Sequence, residues 1–170
     1  SLLCRSATGQ PVAISTSCVG SEYGDIFDIM GSSTRHPNNY QKGRANGGIW
    51  YDPTNSQLVT QNGTYIIEAL EPFSPGVKSL RVPSGYPGVY YYLEYRKIYG
   101  AFDNFSVGSP VTMGVSLRIR PVSLLISPTS SFTAAGPGLI DLTPTSSGFG
   151  DSALAVGKTF TDPMNGLRIT

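Results

Sequence analysis

Few side chains in this 170-residue chain have the chemistry of catalysis, and their types narrow the choice further. There is one histidine, His36, and there are two cysteines, Cys4 and Cys18. A catalytic zinc needs about three protein ligands, usually His with Asp or Glu, and a position left open to water. No H-E-x-x-H, no C-x-x-C and no second histidine occur, so this chain by itself is expected to hold no catalytic metal. Cys4 and Cys18 enclose a short loop rich in Thr, Ser, Gly and Pro. That spacing suits one disulfide in an oxidising compartment, with two unpaired buried thiols as the alternative.

Other groups could act without a metal. Gly150-Asp151-Ser152-Ala153-Leu154 mimics the G-D-S-L block of SGNH esterases, where Ser152, His36 and an Asp would form a triad. That block normally opens an α/β hydrolase near its amino terminus, and here it stands near the carboxyl end of a strand-rich pattern. Glu68, Glu71 and Glu94 lie on or beside tyrosine-rich strands, and glycosidases place paired carboxylates about 5–10 Å apart across a cleft. The plainer reading pairs Glu94 with Arg96 or an Arg of a neighbouring strand, as a surface arrangement of small consequence. Tyr90, Tyr91, Tyr92 and Tyr95 could form a sugar-stacking platform, or fill a sandwich core with hydroxyls at its rim. Asp25, Asp28, Asp141, Asp151 and Asp162 stand in Gly- or Pro-rich loops, where they could bind calcium. The spacing of an EF-hand is missing, and turn aspartates capping local amides are the simpler account.

Composition bounds the setting. Charged residues make up 14% of the chain against roughly 25% in average soluble domains. The formal net charge of +1 gives no reason to expect nucleic acid or an acidic membrane as partner. Hydrophobic residues at 39% and aromatics at 11% suffice for a core, and no run reaches the roughly 18 apolar residues of a membrane helix. The chain opens on Ser1 rather than Met, as expected of a processed, trimmed or engineered start. Asn62-Gly63-Thr64 and Asn104-Phe105-Ser106 are formal glycosylation sequons.

The elements that must position these residues are strands. Positions 1–36 show little periodicity and many turn formers. Asn38 to Ala45 predicts one short helix, with Pro37 at its start and Gly47-Gly48 ending it. From Ile49 the pattern is strand and turn: 49–51, then the Asp52-Pro53 turn, then 57–60 and 64–70 about an Asn62-Gly63 hairpin signal. Further strands are predicted over 77–82, 89–98, 111–119, 123–126, 139–142, 153–160 and 166–170, with a Ser/Thr/Pro-rich loop over 127–135. In 115–120 the alternation of Val115, Leu117 and Ile119 with Ser116, Arg118 and Arg120 predicts one buried and one wet face. Roughly ten short strands at this spacing argue for an all-β antiparallel sandwich or jelly roll. An irregular amino-terminal segment and one short helix would precede it. The division expected is 1–48 and 49–170.

Several of these patches resemble one family. Glu22-Tyr23-Gly24-Asp25, Asp28-Ile29-Met30-Gly31 and His36-Pro37-Asn38-Asn39-Tyr40-Gln41-Lys42 are similar to the E-Y-G-D-x-x-D-x-M-G turn and H-x-N-x-Y-Q-K helix of gametolysin-like metallopeptidases. Tyr91-Tyr92-Leu93-Glu94-Tyr95-Arg96 resembles the family's Y-x-x-E-Y-R strand. The run from Phe149 to Pro163 is similar to its distal strand pair. Arg44 to Trp50 departs from the apolar L-G-W-L of the family.

In that family the turn follows an H-E-x-x-H-x-x-G-x-x-H zinc helix, and no such helix occurs in this chain. The resemblance implies that Met30 forms the floor beneath the metal and that Glu22, Tyr23, Asp25 and Asp28 stand near the substrate. It implies a zinc-activated water attacking a peptide bond in the intact enzyme, with zinc supplied outside these residues. The reading is the distal portion of a secreted zinc endopeptidase, inactive as an isolated chain. Its partners would be a peptide substrate and the missing amino-terminal catalytic segment. The alternatives are a non-catalytic module binding carbohydrate or protein, and a small hydrolase with a polysaccharide or ester substrate.

Overall fold

Strands whose alternate residues are apolar build this all-β chain, whose computed structural model describes residues 1–44, 53–123, 125 and 136–170. The predicted strand 49–51, the Asp52 half of its turn, the Gly47-Gly48 helix stop, the 48/49 boundary and the 127–135 loop lie outside the described residues. So does part of the strand predicted over 123–126.

The amino-terminal strands are β1 (Leu2–Arg5), β2 (Pro11–Val12) and β3 (Cys18–Gly20), followed by one helix, α1 (Asn39–Arg44). Then come β4 (Ser56–Leu58), β5 (Ser79–Pro83), β6 (Tyr90–Tyr95), β7 (Gly114–Arg120) and β8 (Gly138–Leu139). The last strands are β9 (Leu154–Ala155), β10 (Phe160–Thr161) and β11 (Arg168–Ile169). The main sheet runs β4-β5-β6-β7-β8, with β9 also on β7; β2-β1-β3 and β10-β11 form two smaller sheets.

Register decides what the main sheet presents on each side. Leu93 faces Leu80 and Leu117 across the ladder, and Tyr91 faces Val82 and Ile119. This face joins Leu2, Cys4, Ile14 and Cys18 from the amino-terminal sheet and Phe160 from the carboxyl end in one buried cluster. Each large apolar side chain buried there stabilises by roughly 1.5–3 kcal/mol. Close approach is required at one crossing: a Cβ at Gly138 would lie 2.8 Å from Leu2 Cγ and Val122 Cγ1.

The opposite face carries Tyr92 opposite Arg81 and Arg118, and Glu94 opposite Ser79 and Ser116. This is the face predicted to be wet, and the structure corrects that expectation. Ser116, Arg118 and Glu94 are fully buried, because α1 and the 21–38 loop lie over them. A second apolar cluster joins Phe27 of that loop to Phe105, Val111, Leu139 and Phe149.

Three further expectations are corrected. Positions 1–36 hold a three-stranded sheet, which the turn formers concealed because two of its strands are only two or three residues long. The Asn62-Gly63 hairpin does not form. Instead β4 pairs in parallel with β5, while Glu68 and Leu70 donate their N–H groups to Val77 and Tyr95. Both flanking runs thus take partners elsewhere in the sheet, and tertiary pairing overrides the local turn preference. The strand predicted over 153–160 breaks into β9 and β10 at Gly157, which adopts the left-handed φ of +77°.

Residues on both sides of the expected 48/49 division share both apolar clusters. No helix among the described residues is long and apolar enough to cross a membrane.

Candidate functional site

The charged face of β6 and β7 gathers the motif residues into one network. Arg118 donates from Nε to Asp25 Oδ2 at 2.8 Å, and its Nη1 lies 2.7 Å from Glu94 Oε1. Arg96, just beyond β6, donates from Nε to the same Glu94 oxygen at 2.9 Å and reaches Asp103 Oδ2 at 3.1 Å. The second Glu94 oxygen accepts the Asn39 amide N–H at 2.6 Å. Arg96 also donates to the His36 carbonyl, whose own N–H goes back to Asp103. One chain of contacts therefore runs from the 25–28 turn through the sheet to the start of α1.

Local chemistry places each member. Asn38 caps α1: its Oδ1 accepts the Gln41 N–H, and its carbonyl accepts the Lys42 N–H. Its own amide donates to Asp28 Oδ2, and its backbone N–H to Oδ1 at 3.2 Å. The helix starts one residue later than predicted, with Pro37 before the cap. Asp25 and Asp28 each close an Asx turn onto the N–H two residues on, at Phe27 and Met30. Asn39 Nδ2 bonds Ser79 Oγ and the Leu93 carbonyl, which fastens α1 to β5 and β6.

The electrostatics follow from burial. Removal from water alone would raise the Glu94 pKa, but the Arg118 and Arg96 charges and the Asn39 N–H outweigh it and hold the carboxyl at about 2. Asp28 shifts the other way: burial raises its pKa, and Arg118 offsets this only in part. A buried pair of this kind adds little net stability over apolar residues, yet removing one partner costs about 3–5 kcal/mol. The network therefore specifies geometry more than it contributes stability.

The sequence-predicted residues divide accordingly. Asp25 and Asp28 point into the network, while Glu22 and Tyr23 are exposed on the same turn. Met30 is 67% exposed. His36 is half-buried with Nδ1 3.7 Å from Glu71 Oε1, and its ring meets Phe102 edge-on. Ser152 is buried and its hydroxyl has no hydrogen-bond partner, so no base stands beside it for an acyl step.

Glu94 has no exposure to solvent and stays ionised, so it neither meets a glycoside nor donates a proton. The surface pair expected for it is corrected to a buried one. Glu68 is exposed and is occupied by Lys78 at 3.7 Å and by Ser74. The four tyrosines split between the two faces. Tyr90 and Tyr92 stand on the charged side, Tyr90 under Arg81 and Tyr92 against Tyr40. Tyr91 is buried on the apolar side with its hydroxyl on Asp162, and Tyr95 shares that side. They form no single platform.

Cys4 and Cys18 are opposed across β1 and β3 and form a disulfide. Asp141 and Asp162 also close Asx turns, onto Thr143 and Met164, and Asp151 accepts from Ser146. Among the described residues no group of three or more His, Cys, Asp or Glu side chains could hold a metal ion. With one histidine beside Glu71 and both cysteines joined in a disulfide, the described residues offer no cluster of His and Cys of the kind a zinc site uses.

The alternating pattern places Arg118 on a wet face, and no motif marks Asp103. A charge in an alternating strand signals a wet face, and only the covering loop reverses that reading. No protein-family model, curated protein or solved structure matches the chain.

Proposed function

We infer that this chain is the distal portion of a secreted zinc endopeptidase of the gametolysin-like kind, acting as a rigid support and supplying no metal ligand. One observation supports the reading. The patches that carry the resemblance lie far apart in sequence, yet Asp25, Asp28, Asn38, Glu94 and Arg96 belong to one buried network. An accidental likeness would not be expected to select residues that contact one another. The network fixes the 21–31 turn so that Tyr23, Ile29 and Met30 face outward. In this reading they form the surface on which a metal-bearing segment rests, and Glu22 and Tyr23 stand nearest a peptide substrate. The disulfide suits an oxidising, extracellular setting.

The test compares the isolated chain with the polypeptide that its reading frame encodes when extended upstream of Ser1. The extended protein should cleave casein and lose that activity to a chelator, and the isolated chain should neither cleave casein nor retain zinc through dialysis. An upstream sequence without a zinc helix would overturn the reading. So would one zinc per isolated chain that is lost on His36→Ala.

A further inference from the structure

On the apolar face of the β5-β6-β7 sheet, beneath the β10-β11 hairpin and the 59–67 segment, lies a cavity of about 810 Å³. Its floor is Leu80, Val82, Leu93, Val115 and Leu154, side chains without a nitrogen or oxygen. Protein interiors normally leave few voids larger than a water molecule. A space of roughly 300–1,000 Å³ is the size that holds a small organic ligand. Water within it would find few polar partners along the floor, and apolar cavities of this kind take up apolar molecules. Polar residues stand at the rim, among them Asn62 and Thr64. Among the described residues, Arg168 is the only lining residue with a charged side chain, and no Asp or Glu side chain joins it there. It is exposed and belongs to none of the ion pairs of the described residues.

We propose that this cavity binds a long-chain carboxylate, with the alkyl tail over the Leu80–Leu93 floor and the head group at Arg168. An apolar trough with a single unpaired cation at its mouth complements a ligand with one anionic end. The site lies on the face of the sheet opposite the buried charge network and does not depend on the endopeptidase reading.

Calorimetric titration with dodecanoate below its micelle concentration, and with dodecanol, tests this. The chain should bind one dodecanoate saturably. Arg168→Ala should weaken dodecanoate roughly three- to fivefold, the scale of an exposed ion pair, and leave dodecanol unchanged. Ile67→Trp, which places an indole in the cavity, should weaken both at least tenfold with the circular dichroism spectrum retained. In the unmutated chain, nuclear Overhauser contacts should join the dodecanoate methylenes to the Leu80 and Leu93 methyls, so the test stands even if Ile67→Trp does not fold. Absence of saturable binding or of these contacts would overturn the proposal. Unchanged dodecanoate affinity in Arg168→Ala, or in folded Ile67→Trp, would do the same.

Discussion

Both oxygens of Glu94 are engaged and none of its surface meets solvent, so its charge is a fixed part of the fold. Its folded pKa of about 2 lies below the ordinary value of 4.5. The group therefore contributes stability above about pH 4.5, and that contribution is lost as pH falls towards 2. Glu94→Gln should cost roughly 3–5 kcal/mol at neutral pH, because it leaves two guanidinium groups facing a neutral amide. The same change should flatten the acid limb of the stability profile. Urea unfolding across pH measures both, and a loss under about 1 kcal/mol would show that solvent reaches the pair. Ser152 predicts the opposite kind of result. Its buried hydroxyl has no partner, so Ser152→Ala should be neutral or slightly stabilising in the same assay. Replacing both Cys4 and Cys18 by Ala should cost roughly 3 kcal/mol, the entropy of the loop that their bridge closes, read as a fall in melting temperature. The bridge and the aspartate turns were legible in the sequence because short-range spacing encodes them. So was the pairing of Glu94 with Arg96 and with an Arg of the neighbouring strand, whereas its burial and the Asp25–Arg118 contact were not, since Asp25 and Arg118 are separated by 93 positions and meet only after folding.

The 21–31 turn is the element on which the functional reading depends, and a glycine sets its geometry. A Cβ at Gly31 would lie 1.9 Å from the Asp25 backbone oxygen, so Gly31→Ala must push the turn open. It should cost roughly 2–3 kcal/mol, as overpacking does, and should shift the resonances of Asp25 and Arg118 together. An unchanged spectrum around Arg118 would mean that the turn and the sheet are not coupled. Strands β5, β6 and β7 were legible from alternating apolar residues. Helix α1 was legible from Pro37 and Asn38. The hairpin at Asn62-Gly63 was misread because turn preference says where a chain can reverse, whereas pairing depends on which strands the rest of the sheet presents. The short strands β1 to β3 carry too few residues for a period to emerge, and the sheet partners that define them are visible only in the fold.

At the scale of the molecule, one sheet separates two interiors of different kinds. The apolar side holds the larger cluster and the open cavity; the charged side holds the ion network and the motif-bearing turn. The fold class could be read from strand count and turn spacing. The burial of a charged face could not, because it depends on a loop lying over the sheet and not on the strands themselves. The 21–31 turn and the sheet beneath it are one body joined through Asp25 and Arg118. A double-mutant cycle of Asp25→Asn and Arg118→Met, followed by urea unfolding, measures that joint directly. The coupling should be about 2 kcal/mol or more, as expected for buried partners that each leave the other uncompensated. Additive losses, with a coupling of about 0.5 kcal/mol or less, would contradict it.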